Sequence, residues 1–252
     1  MTQYKSVLIT GASSGIGAAL AVSLAAPGTT LHLCAREVGR LEATTAACRA
    51  RGAMVHPCAM DVRDAAAMEA WITAAAPLDL VVANAGISAG GTKDLTRDIF
   101  GVNLDGALNT VLPAMAAMRA QPRGSDGFRG RIAVIASIVA FIPVPDSAAY
   151  CASKAAIDTW TVASARSARR AGIQLTSVCP GFIRTAMTAR NTGFMPGLMA
   201  PDRAAAIILR GIAAGRIRLA FPWWMGALAR IVGLLPPRLL GKLLPDTAGE
   251  NP

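Results

Sequence analysis

Tyr150 and Lys154 stand four positions apart in Tyr150-Cys-Ala-Ser-Lys154, so on a helix the phenol and the ammonium share one face. A free tyrosine titrates near pH 10, too high for efficient acid–base work at neutral pH. A neighbouring lysine cation favours the phenolate and lowers that value. Ser137 ends an apolar run over residues 131–137, where its hydroxyl can hydrogen-bond a substrate carbonyl oxygen and stabilise charge developing there. Asn84-Ala85-Gly86 ends an earlier apolar run in the same way. Asn103, in Gly101-Val-Asn103-Leu-Asp-Gly106, falls in the helical region that follows. By itself a tyrosine–lysine pair is also what an ordinary amphipathic helix face presents; the order of the parts tells the two apart.

A hydride carrier needs a seat. Thr10-Gly11-Ala-Ser13-Ser14-Gly15-Ile16-Gly17 lies directly between the first apolar run and the first helical pattern. Glycines there allow positive φ and let the backbone approach a pyrophosphate closely. The helix start that follows offers free N–H groups and a positive dipole end. The spacing is Gly-x-x-x-Gly-x-Gly rather than Gly-x-Gly-x-x-Gly. A tight turn without a ligand is the plainer alternative. The second run ends Leu33-Cys34-Ala35-Arg36, with no carboxylate to grip an adenosine 2′-hydroxyl. The Arg36 guanidinium instead suits a 2′-phosphate, which points to NADP, with NAD as the alternative. Glu37 works against that preference, unless it serves only the helix start.

These residues are placed by a regular alternation. Apolar runs over 6–10, 30–35, 53–60, 78–84, 131–137, 173–179 and 216–221 read as strands. Helical patterns fill 16–26, 38–51, 65–75 and 149–171, and a long, broken helical region reaches about residue 120. Near-continuous apolar strands alternating with helices indicate a doubly wound Rossmann-type α/β fold: a seven-stranded, mostly parallel sheet covered on both faces. Residues 121–130, rich in Gly and Arg, read as a mobile surface loop. Residues 181–200 follow the sixth strand and fall at the carboxyl edge of the sheet, where ligands bind in open α/β folds. No repeat or linker divides the chain, and one catalytic domain over 1–252 is expected.

Composition narrows the class. Of the 252 residues, 53% are hydrophobic and 16% charged, which suits helices packed closely on a sheet and excludes a disordered chain. The net charge of +10 admits a phosphorylated ligand, a membrane surface or nucleic acid. Nucleic acid is the weakest of these, because the arginines are dispersed and no helix-turn-helix or zinc-finger spacing appears. Cys34, Cys48, Cys58, Cys151 and Cys179 are odd in number and widely spaced. They read as reduced thiols of a cytoplasmic protein, not as a disulfide framework or a metal site. No signal peptide is visible, and no apolar run reaches the roughly 18–20 residues that span a bilayer.

Taken together, these motifs resemble the compact branch of the short-chain dehydrogenase/reductase family over residues 4 to about 220. The likeness is carried by the glycine loop, Asp61-Val62, Asn84-Ala85-Gly86, Asn103, Ser137, Tyr150-x-x-x-Lys154 and Pro180-Gly181-x-Ile183-x-Thr185. The resemblance implies that Tyr150 is general acid in reduction and base in oxidation. It implies that Ser137 orients the substrate, that Lys154 holds the ribose and tunes Tyr150, and that Asn103 anchors a water in a proton relay. Asp61 and Val62 would flank the adenine, and Ile183 and Thr185 would hold the nicotinamide carboxamide. Two positions depart from the family pattern: Ala83 stands where the family often has Asn, and Ser14 where many NADP-using relatives carry a basic residue. A homodimer or homotetramer is implied as well.

The tail over 222–252 is apolar and basic, with Trp223, Trp224, Arg230, Arg238 and Lys242. Subunit contact, or a cap over the substrate cleft, is the favoured reading. Peripheral membrane contact is the sharper one, since paired tryptophans among basic residues suit an interface. Pro236 and Pro237 interrupt any long amphipathic anchor. An apolar tail beside the cleft suggests a hydrophobic ketone or aldehyde as substrate. The alternatives are a nucleotide-sugar epimerase or dehydratase, an enoyl reductase, or a non-catalytic NADP-binding sensor. Relatives of the first kind are longer, the second uses wider Tyr–Lys spacing, and a sensor has no need of Ser137, Tyr150, Lys154 and Asn103.

Overall fold

Side chains alternate across a strand, so a strand apolar at every position must be covered on both sides. The chain meets that demand with seven strands in the order β3-β2-β1-β4-β5-β6-β7. They are β1 Ser6–Thr10, β2 Thr30–Ala35, β3 Met54–Ala59, β4 Leu80–Ala83, β5 Gly130–Ile135, β6 Ile173–Pro180 and β7 Arg218–Phe221. Every pairing among them is parallel. This computed structural model describes residues 4–88, 95–145, 147–190 and 194–244. The parts of the substrate-loop and tail expectations that fall on 146, 191–193 and 245–252 lie outside the described residues.

Val7, Ile9, Leu31, Leu33, Ala133 and Ile135 point into one core, which receives α1 (Gly15–Leu24), α2 (Val38–Arg49) and α7 (Pro201–Ala213). Leu8, Val81, Ile132 and Val134 point into the other core. That face receives α3 (Ala65–Ala75), α5 (Gly106–Ala120) and α6 (Ala148–Arg170). The strand order reverses between β1 and β4, so a crevice opens beyond their carboxyl ends. Among the described residues no helix is long and apolar enough to cross a membrane.

Several boundaries differ from the sequence reading, for identifiable reasons. Leu78 is not in β4, because the Gln121 side chain accepts from its N–H at 2.9 Å and donates to its carbonyl at 2.8 Å. The 121–130 loop is closely tied rather than loose: Arg131 pairs with Asp126 at 2.5 Å, and the Gly124 N–H donates to the Phe128 carbonyl at 2.7 Å. The broken helical region resolves into α4 (Thr96–Phe100), a π-helical turn over Gly101–Asp105, and α5. A π-turn shifts side-chain register and recurs at functional sites; this one carries Asn103.

Candidate active site

The glycine loop follows β1 and faces the residues that leave β4. Asn84 Nδ2 donates to the carbonyls of Thr10 and Gly11, each at 3.0 Å, while the Asn84 N–H donates to Thr10 Oγ1 at 3.1 Å. Asn84 therefore braces the loop from below. Gly11 and Gly15 have φ of +66° and +56°. A Cβ on Gly11 would stand 2.8 Å from the Ala85 Cα, and one on Gly15 would stand 2.8 Å from Thr185 Cγ2. At Gly17 a Cβ would meet the Gly11 carbonyl oxygen and lie 2.6 Å from Asn84 Nδ2. Ser14 precedes α1 without a side-chain cap, and no acidic residue occupies the first turn. The leading N–H groups of α1, including those of Gly15, Ile16 and Gly17, thus stay available to an anion. A cradle of backbone donors, with glycine at the three positions where a Cβ would collide, fits a dinucleotide pyrophosphate.

Farther along the same edge lie the groups expected at the adenosine. Among the described residues the exposed Arg36 makes no ion pair, and its charge is felt at Asp61. Glu37 is drawn instead to Arg40, at 3.4 Å. The Asp61 carboxylate is held by Arg63 through Nε, at 3.2 and 3.1 Å, and through a terminal nitrogen at 2.8 Å. That hydrogen bonding holds its pKa below the usual carboxylate value. Arg63 also donates to Asp98 at 2.8 Å. Val62 is buried and packs where Gly106 lacks a side chain.

Ser137, Tyr150, Lys154 and Asn103 converge beside Gly86. Ser137 lies just past β5 and begins a 3₁₀ turn, Ile138–Phe141, its Oγ accepting from the Val139 N–H at 3.3 Å. Its side chain also bears on Tyr150, pulling the phenol's pKa down. Tyr150 is half-buried. Burial pushes the Tyr150 pKa up, the Ser137 side chain pulls it down, and the Cys151 thiol pushes it up again. Lys154 is buried, donates from Nζ to the Ile135 carbonyl at 2.8 Å, and lies 5.9 Å from the Tyr150 ring centre. Burial lowers its pKa to about 8. A Cβ on Gly86 would stand 3.3 Å from both Lys154 Nζ and Asn103 Oδ1. Asn103 is buried, with Nδ2 donating to the Ile87 carbonyl at 2.9 Å and to Ser153 Oγ at 3.1 Å; its Oδ1 accepts from the Ile87 N–H at 2.8 Å.

The far wall comes from the segment after β6. The Gly181 N–H donates to the Phe221 carbonyl at 2.8 Å, which carries β6 through Pro180, and Ile183 bridges to Met199. Thr188 Oγ1 donates to the Ile183 carbonyl at 2.7 Å and accepts from the Thr185 N–H at 2.9 Å. Thr188 thereby sets the pair Ile183 and Thr185, although no motif marks it. Thr10 and Ser153 are also braces that sequence reasoning passed over; each sits inside a motif, and its hydroxyl was the available signal. Arg63 stands two residues from Asp61, a local charge pattern that could have marked it; its second partner, Asp98, is distant in sequence. The five cysteines are free thiols, and burial pushes Cys34 and Cys179 up to about 12.

Comparison with known proteins places this geometry among relatives. A family model described as short chain dehydrogenase matches residues 5–194. An uncharacterized oxidoreductase of Myxococcus xanthus is 34% identical over 247 residues, which covers 92% of this chain and 93% of that protein. A solved short-chain dehydrogenase from Sphingobium yanoikuyae in complex with NADPH is 26% identical with a TM-score of 0.77, over 92% of this chain and 96% of that one. A solved actinorhodin polyketide ketoreductase with NADPH is 27% identical with a TM-score of 0.73, over 88% and 97%.

Proposed function

The chain belongs to the short-chain dehydrogenase/reductase family, and from that premise we propose that it is an NADP-dependent oxidoreductase interconverting a hydrophobic ketone or aldehyde and the corresponding alcohol. The observation that carries this reading is the convergence of Ser137, Tyr150 and buried Lys154 with the glycine cradle at one sheet edge. NADPH, when bound, supplies the hydride. Gly11, Ser13, Ser14, Gly15, Ile16 and Gly17 hold its pyrophosphate, and Pro180, Gly181, Ile183 and Thr185 flank its nicotinamide end. Asp61, Val62, Ala85 and Gly86 line the path between. Asn84 acts on the cofactor by shaping the loop.

Tyr150 does the proton work. With its pKa raised by burial, the phenol is protonated at neutral pH and serves as general acid toward a carbonyl oxygen. The Ser137 hydroxyl orients that oxygen from the other side. Lys154 has two N–H donors beyond the one given to Ile135. They suit the ribose hydroxyls, and the lysine is more a binding group than the main determinant of the Tyr150 pKa. Asn103 fixes the backbone of Ile87 beside Lys154, where a relay water belongs.

For the carrier, the unpaired Arg36 and the diversion of Glu37 to Arg40 support NADP over NAD. NADPH is bound in two solved neighbours and NAD in a third, so the preference rests on Arg36 and Glu37. We take residues 1–252 as one catalytic domain, in a cytoplasmic homodimer or homotetramer. The test is oxidation of NADPH and NADH across a panel of apolar ketones and aldehydes by the wild type and Tyr150→Phe. The expected result is turnover with NADPH at lower KM than NADH, nearly abolished in Tyr150→Phe with NADPH binding retained. Turnover by Tyr150→Phe close to wild type would mean the proton route is misassigned, and a lower KM for NADH would reverse the assignment of Arg36.

A further inference from the structure

Between residues 203 and 244 every charged side chain is basic, and among these only Arg218 is ion-paired in the described residues. The same segment ends in two short helices, α8 (Trp223–Gly233) and α9 (Pro237–Leu243). One face of α8 is made of small residues. Gly226, Ala229 and Gly233 recur at helical spacing, Gly226 packing on Ala220 and Gly233 on the Phe141 backbone. The opposite face carries Trp224, Leu228 and Ile231, also at helical spacing, with Ile231 65% exposed. Leu234 at the joint is 86% exposed and Trp223, at the start, 78%. In α9 an exposed row of Leu239 and Leu243 runs beside an exposed row of Arg238 and Lys242. The prolines do not remove the amphipathic pattern; they divide it between two helices.

An apolar face bordered by cations needs an occupant that is both apolar and anionic. A second copy fits poorly. A two-fold contact would bring two like-charged α8–α9 pairs together, with no acidic residue in either helix to answer them. Exposed tryptophan, leucine rows and lysine or arginine able to extend past them match the boundary between lipid headgroups and acyl chains. We propose that the outer face of α8 and α9 docks on an anionic lipid surface. The inner side of the same segment borders the cleft: Pro222 and Met225 pack at Gly181, which also meets Ile138, the residue after Ser137. Docking through the outer face would therefore set the cleft mouth at the lipid boundary. The inference does not depend on the redox assignment.

The test is co-sedimentation of the full chain with vesicles, one set pure phosphatidylcholine and one enriched in phosphatidylglycerol. Binding is expected to the anionic set only, and to weaken as salt is raised. Arg238→Gln with Lys242→Gln should lower the partition coefficient by roughly fivefold for each charge removed. Leu228→Glu with Ile231→Glu should abolish binding; all four positions are exposed, so melting temperatures should stay unchanged. No partition into the anionic set, equal partition into phosphatidylcholine, or unaltered binding by these variants would overturn the proposal. It would equally be overturned if Leu228→Glu with Ile231→Glu dissolved a dimer while the wild type ignored vesicles, or if the wild type bound soluble polyglutamate as tightly as vesicles. Those results would give the face to a second copy or to an acidic polypeptide.

Discussion

Lys154 is buried, and among the described residues no carboxylate pairs with it. Its folded pKa of about 8 lies below the ordinary lysine value, so the fold bears the cost of a buried charge at neutral pH. The sign follows from linkage. Above about pH 8 the folded state releases a proton that the unfolded state keeps to about pH 10.4, and this group's penalty shrinks as pH rises through that window. Lys154→Met should therefore lose turnover yet melt higher at pH 7. Each kcal/mol of relief is worth ~2–4 °C in a chain of this size, and the difference should narrow above pH 8. Thermal melts across pH check it; a variant that melts lower at pH 7 would show that the bond to Ile135 outweighs the buried charge. The tyrosine–lysine spacing was readable as a shared helix face. Which force governs Tyr150 was not, because desolvation depends on what surrounds the phenol, and burial exceeds the other influences on it.

At the scale of elements, the strand–loop–helix unit of β1 and α1 was legible almost to the residue, because β1 and its glycines carry local signals. The reason for each glycine was not. Gly17 answers to the Gly11 carbonyl and to Asn84, a residue 67 positions later in the chain. Gly17→Ala should weaken NADPH binding by roughly five- to 150-fold, since overpacking costs about 1–3 kcal/mol. Gly39→Ala, where a Cβ meets nothing within 4 Å, should leave binding unchanged. Fluorescence titration with NADPH distinguishes them, and equal affinities would remove the argument for a braced cradle. The π-turn holding Asn103 showed in the sequence only as a broken helical pattern, since hydrogen-bond register inside a helix leaves little trace in composition.

Across the molecule, an ion pair ties α6 to β7, the strand that leads into the tail. Asp158, one turn beyond Lys154 on α6, is 2% exposed and accepts from Arg218 of β7 at 2.6 and 3.0 Å and from Ser177 at 2.6 Å. The Phe141 ring lies 5.4 Å from Arg218 and 4.0 Å from Arg230 of α8. Arg218→Ala would leave a buried carboxylate with Ser177 and Cys179 as its remaining donors, at a cost of about 3 kcal/mol. A melting point lowered by several degrees is expected. Arg218→Leu combined with Asp158→Leu should recover most of that loss, and a double variant no better than the single would argue against the buried charge as the cause.

The sequence by itself determined the fold class and the strand count, because hydrophobic periodicity and glycine spacing are local physics. Tertiary structure alone decided that Asn84 braces the loop, that Arg63 joins Asp61 to Asp98, that burial sets Tyr150 and Lys154, and that α8 has a small inner face and an apolar outer one. Each of those depends on groups far apart in the chain being brought within a few ångströms, and on the water excluded when they meet.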